Sequence, residues 1–178
     1  MRILDLSDRR LFRLHEVPEE VSELNLTRNF ITSFPLDFRP KLRVLDLSRN
    51  RLRFFPDISQ FPSFAELKLQ SNEIRNLPEL VEHAALRSLD VPDNPLGPSL
   101  SLRLDTRKLD TLHLASCGVR FLKNCELRVV RGNFALKLSD NSLPKGEELR
   151  NGDVDCLQRL AQSKETWRRL VESLASCV

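Results

Sequence analysis

The side chains best equipped for chemistry are three histidines, His15, His83 and His113, and four cysteines, Cys117, Cys125, Cys156 and Cys177. A thiol beside an imidazole is the arrangement of a nucleophilic cysteine, because the ring takes the thiol proton and leaves a thiolate. His113 and Cys117, four residues apart, are the pair that could attempt this. The cysteines are separated by 8, 31 and 21 residues, with no C-x-x-C, and no histidine sits in an H-E-x-x-H spacing. A zinc site is therefore not indicated. The five glycines form no phosphate-cradling loop, and there is no G-x-S-x-G. No cofactor, metal or small-molecule substrate is expected, and the chain does not read as an enzyme. Four cysteines without pairing spacings read as free, mostly buried thiols of a reducing compartment.

Whether His113 and Cys117 can meet depends on the element that carries them, and that element recurs. The pattern L-x-L-x-x-N-x-L appears at Leu24-Asn25-Leu26 with Asn29 and Ile31, and at Leu45-Asp46-Leu47 with Asn50 and Leu52. It returns at Leu67-Lys68-Leu69 with Asn72 and Ile74, and at Leu89-Asp90-Val91 with Asn94 and Leu96. Two later copies are Leu112-His113-Leu114 with Cys117 and Val119, and Leu136-Lys137-Leu138 with Asn141 and Leu143. The opening Leu4-Asp5-Leu6 with Leu11 is a seventh, with Arg9 in place of Asn. Successive copies start 20, 21, 22, 22, 23 and 24 residues apart. L-x-L alternation places both leucines on one face of a short strand, a face that one repeat cannot bury alone. Stacked copies bury it together, as a parallel sheet over a continuous core.

This pattern resembles the leucine-rich-repeat family in its short-repeat, intracellular form, over residues 1 to about 145. The resemblance implies an α/β solenoid: a horseshoe with a parallel concave sheet and an extended or short-turn convex side. Asn offers both a donor and an acceptor to the buried backbone of the turn after each strand. Asn29, Asn50, Asn72, Asn94 and Asn141 therefore read as a structural ladder, with Cys117 standing in for Asn as the family permits. Cys117 should then point inward, away from His113, which argues against a catalytic dyad.

A further apolar column lies ten residues after the repeat starts, at Leu14, Phe34, Phe55, Leu77 and Leu122. Three of its members precede proline, which favours an extended return path. The stretch Leu77 to Leu86 has room for one helical turn or two. The phenylalanines read, like the leucines, as core filling.

The solenoid is expected to occupy residues 1–145. Residues 146–178 are expected to form a loop and an amphipathic helix, roughly Asp155 to Ser176, with Leu157, Leu160, Ala161, Trp167, Leu170, Val171 and Leu174 on one face. Such a helix would cap the last repeat, with Trp167 as its anchor; the alternative is a docking helix. The first strand begins almost at Met1. It is either a tolerant edge, or covered by a partner, or the chain is a fragment. No signal peptide or membrane span is legible.

With 28 Lys and Arg against 25 Asp and Glu, the net charge is +3, which does not indicate a nucleic-acid ligand. The family resemblance points to another protein as partner, bound on the concave face. The residues assigned to that surface are Asn25, Arg28, Asp46, Arg49, Lys68, Ser71, Asp90, Asp93 and His113. The expected role is an adaptor or regulatory subunit, intracellular and cytoplasmic; the alternative is a structural subunit of a large assembly, held by its ends, convex side and C-terminal helix.

Overall fold

A computed structural model describes residues 2–14, 16–34, 41–78, 81–105, 108–128 and 135–142. Ten strands follow one another: β1 (Ile3–Asp5), β2 (Glu23–Asn25), β3 (Val44–Asp46), β4 (Glu66–Lys68), β5 (Val81–Glu82), β6 (Ser88–Asp90), β7 (Ser99–Asp105), β8 (Thr111–His113), β9 (Phe121–Arg128) and β10 (Ala135–Lys137). Seven of them, in the order β1-β2-β3-β4-β6-β8-β10, form one parallel sheet, a single strand from each repeat. Leu4 is level with Leu24, then Leu45, Leu67, Leu89, Leu112 and Leu136, without a slip. A slip of one residue would turn every buried leucine to solvent, so the leucine spacing itself fixes the register.

The strands of this sheet are three residues long, and only the middle side chain of each faces inward. The second leucine of each motif, just past the strand end, continues the core: Leu26, Leu47, Leu69, Val91, Leu114 and Leu138 are all fully buried. Three residues before the first leucine lies another buried column, Val21, Leu42, Phe64, Leu86 and Leu109. This column extends the motif on its N-terminal side.

The return segments are extended, as their prolines predict, but they also correct part of the expected fold. There is no helix among the described residues, so the α/β description gives way to a solenoid of parallel strands. Leu77 to Leu86 carries strand β5 instead of a helical turn, and β5, β7 and β9 form a second parallel sheet. The reason lies in β7, whose Ser99-Leu100-Ser101-Leu102-Arg103-Leu104 alternates with period two. Leu100 and Leu102 enter the same core as the first sheet, as does Leu122 of β9. Once adjacent return segments are extended, each supplies the backbone partners the next requires. The ten-residue column holds elsewhere: Leu14, Phe34, Phe55 and Leu77 pack against the core, partly buried. The capping helix, its anchor Trp167 and the boundary at residue 145 lie outside the described residues.

One ionisable side chain sits deep beneath the return segments. His83 is 5% exposed; its Nε2 is 2.8 Å from the Phe61 carbonyl oxygen, to which it donates as the neutral tautomer, and its ring meets Phe64 edge-on. Its Nδ1 has no partner among the described residues. Burial disfavours the imidazolium and holds His83 below its ordinary value, partly offset by the Phe61 and Ile58 carbonyls. A depressed histidine contributes stability that is complete above the unfolded-state value near 6.5 and is lost as pH falls through the folded one. Thermal melts taken downward from pH 7.5 should therefore show a loss of stability beginning near pH 6.5. His83→Phe should remove that limb while leaving the loss at lower pH. That second window belongs to carboxylates such as Asp5 and Asp57, held below 3.8 by their serine hydrogen bonds. An unchanged acid limb in His83→Phe would assign the effect to another group.

Candidate functional site

Each strand hands the chain to a tight turn, and the turn is built the same way seven times. The residue before the ladder position has a positive φ in every repeat: Asp8, Arg28, Arg49, Ser71, Asp93, Ser116 and Asp140 lie between 54° and 58°. None is glycine, so each carries strain of about 1–3 kcal/mol that the surroundings must offset. Two sets of bonds do this. The strained residue donates its N–H to the next repeat, as Arg28 does to Ser48 O (3.0 Å) and Arg49 to Gln70 O (2.7 Å). The ladder side chain then clamps two repeats together. Asn50 Nδ2 donates to Leu26 O (2.9 Å) and Leu47 O (3.0 Å), while its Oδ1 accepts from Ile31 N (3.0 Å). Asn72 and Asn94 repeat this geometry one and two rungs on, and Asn29 and Asn141 do so in the second and seventh repeats. All five asparagines are buried.

Cys117 occupies the sixth rung. Its Sγ lies 3.3 Å from both Val91 O and Ala115 O, so its single S–H replaces part of the asparagine's two-proton donor and none of its acceptor. The N–H of Leu96, which an Asn Oδ1 would have accepted, instead closes on Asn94 O (2.8 Å) within its own repeat. Burial pushes the Cys117 thiol up to about 11, the reverse of what a nucleophile needs. His113 points the other way: its Nδ1 is 3.9 Å from Asp90 Oδ1 on the outer face. The two residues share a repeat but not a site.

The outward side of the sheet places the predicted surface residues in two rows. In the first, register sets Asn25 beside Asp46, Asp46 beside Lys68, Lys68 beside Asp90 and Asp90 beside His113. Some of these also serve the turn. Asn25 Oδ1 accepts from Thr27 N (3.0 Å) and Thr27 Oγ1 (2.6 Å), and Asp46 Oδ1 from Ser48 N (2.9 Å). The second row is the positive-φ column, where Arg28 and Arg49 stand exposed with no ion pair among the described residues. Further along, Asp93 Oδ2 accepts from Gln70 Nε2 (3.1 Å) and Ser71 Oγ (3.3 Å). The face thus carries Arg28, Arg49 and Lys68 at its second to fourth repeats and Asp90 and Asp93 at its fifth, on a backbone fixed by the ladder.

The sequence reading missed the flank beyond the ladder. Not every phenylalanine fills the core: Phe12 is 67% exposed and Phe54 81%. Phe12 rests against Phe30, with ring centroids 5.4 Å apart, and the Arg51 guanidinium lies 4.5 Å from the Phe30 ring centre. The signal was available, because these residues sit beside the buried position of the motif rather than in it.

Among known proteins, the Leucine Rich Repeat family model matches residues 41–62. "Toll-like receptor 2" of Mus musculus is 32% identical over 97 residues, covering 53% of this chain and 12% of that protein. "Immunoglobulin domain and leucine-rich repeat-containing protein 2" of Caenorhabditis elegans is 32% identical over 142 residues, covering 79% of this chain and 17% of its own length. "Toll-like receptor 6" of Bos taurus is 33% identical over 110 residues, covering 59% and 13%. The chain thus spans less than a fifth of these relatives. They overturn the intracellular, cytoplasmic placement: receptors and an immunoglobulin-domain protein are extracellular or membrane-associated company. The cysteine argument failed for a physical reason. Cys117 is free because it fills a buried ladder position, so its state reports packing rather than compartment.

Proposed function

Because the chain is a leucine-rich-repeat protein, we propose that it is an interaction module that binds another protein on the outer face of its seven-stranded sheet, through Asn25, Arg28, Asp46, Arg49, Lys68, Ser71, Asp90, Asp93 and His113. One observation carries this reading: outward side chains of opposite charge stand in fixed register on a backbone that the asparagine ladder immobilises. A preorganised row of charges binds without the ordering cost a flexible loop would incur. Its banding sets the orientation of a partner with the complementary pattern.

The double change Arg49→Glu with Lys68→Glu reverses the basic band. Like charges then face the partner, a penalty of several kcal/mol, so recovery of the partner should fall about tenfold or more. Stability should fall by only about 1 kcal/mol, from the carboxylate that Lys68→Glu places between Asp46 and Asp90, since surface charges contribute little to folding. Lys41→Glu with Lys108→Glu is the control, each four residues before a strand leucine and exposed. The measurement is a quantitative pull-down from native extract with each form as bait, beside a thermal melt. Wild-type recovery by the sheet variant, with loss in the control, would remove the sheet face as the binding surface.

A further inference from the structure

We propose that the flank beyond the ladder in repeats 1 to 4 is a second docking surface, fitted to an acidic protein segment that carries an aromatic side chain. It lies around the turn from the sheet face and does not depend on that reading. The motif itself makes the flank. The residue two past the ladder position is buried in repeats 2 to 4, with Ile31 and Ile74 at 0% and Leu52 at 1% exposure, and Leu11 of repeat 1 is partly buried against the same core. The residues on either side of it therefore face outward, and they stack from repeat to repeat. Phe30 N donates to Leu11 O (2.7 Å), Arg51 N to Ile31 O (2.9 Å) and Glu73 N to Leu52 O (2.8 Å).

Two columns result. One runs Arg10, Phe30, Arg51, Glu73 and the other Phe12, Thr32, Arg53, Arg75. Single exposed apolar residues are ordinary on a protein surface. This pair is different because it is organised: Phe12 is held against Phe30, and Arg51 covers the Phe30 ring. Phe12 thus presents an open apolar ring fixed in place, at small entropic cost to a partner that packs on it. The charge around it is mostly positive. Glu73 is the sole acid in these columns and already holds Arg53, Nε to Oε2 at 3.2 Å. Arg10 and Arg75 make no ion pair among the described residues. Guanidinium groups take carboxylates in two-point hydrogen bonds and stack on aromatic faces. An acidic segment with one aromatic side chain satisfies both features together.

The probe is a short synthetic peptide rich in Glu and Asp with one central Trp, titrated against the full chain by fluorescence anisotropy. Binding should weaken with added salt and weaken again when the Trp is replaced by Gly. Phe12→Ser with Arg51→Glu should reduce affinity at least about tenfold, as should Arg51→Glu with Arg75→Glu, which leaves the Phe12 ring in place. Lys41→Glu with Lys108→Glu should leave it unchanged. Thermal melts establish that each variant is folded. The proposal is overturned if the peptide does not bind, if the flank variants bind it like wild type, or if the Trp makes no difference. It is also overturned if phosphatidylserine vesicles or an oligonucleotide bind the flank while the peptide does not.

Discussion

Asn72→Ala is expected to lower the unfolding free energy by about 3 kcal/mol or more, at roughly 1–3 kcal/mol for each buried group left without a partner. Three such groups are involved. Asn72 Nδ2 donates to Leu47 O and Leu69 O, both at 3.0 Å, and Oδ1 accepts from Leu52 N at 3.0 Å. The side chain is 7% exposed, so water has poor access to replace these bonds. Asn25→Ala should cost less than about 1 kcal/mol, since its bonds to Thr27 sit at a half-exposed turn where solvent can substitute. Asn72→Asp separates shape from chemistry. The carboxylate keeps the acceptor but loses both donors and buries a charge facing two carbonyls, so it should be no better than alanine at neutral pH. Urea denaturation of the three variants decides the matter. Equal midpoints for the variants at 72 and 25 would show that the ladder is not what joins the repeats.

The positions of that ladder are legible in the motif, because seven copies share its apolar spacing and five of them carry an asparagine at the same place. Register, strand direction and the burial of Asn29, Asn50, Asn72, Asn94, Cys117 and Asn141 follow from stacking the copies in phase. The strain before each asparagine was not legible. Arg, Asp and Ser fill that column, and none announces a positive φ as glycine would. The extended path of the return segments was legible too, from the prolines after Phe34, Phe55 and Leu77; their pairing into a second sheet was not, and Leu77 to Leu86 carries β5 where a helical turn was expected. The proposed binding surface was legible only as a set of outward positions. Outward positions follow from the pattern, but their use depends on a partner that the pattern does not encode. The exposed Phe12 and Phe54 were taken for core on residue type alone, although position in the motif decides burial.

The sixth rung shows how far the pattern bends before the fold must compensate. Cysteine supplies a donor to Val91 O and Ala115 O but no acceptor to the fifth repeat. The fifth repeat answers locally, with Leu96 N donating to Asn94 O across Pro95, whose fixed φ suits so tight a turn. The two repeats then approach one residue later, where Gly97 N donates to Cys117 O (3.0 Å). A lost side-chain clamp is replaced by a backbone contact, and that contact has its own steric requirement.

Gly97→Ala should therefore be among the most damaging single changes in the solenoid. A Cβ at residue 97 would fall on the carbonyl group of Gly118 and lie 3.0 Å from Val119 N. Both obstacles are backbone, so no side chain can swing aside, and the fifth and sixth repeats must separate or shift. Separation loses the Gly97 bond to Cys117 and loosens the packing of Leu96 and Val119, which are 1% and 0% exposed. Overpacking a core costs about 1–3 kcal/mol when neighbours can adjust; a backbone obstacle puts this change at about 3 kcal/mol or above on the same scale. Gly118→Ala is the comparison. It has nothing within 4 Å of its Cβ but a φ of +67°, so it carries only the conformational cost of a left-handed alanine, about 1–2 kcal/mol. Denaturation midpoints should fall in the order wild type, Gly118→Ala, Gly97→Ala. A Gly97→Ala protein as stable as Gly118→Ala would mean that the two repeats do not make this close approach in solution.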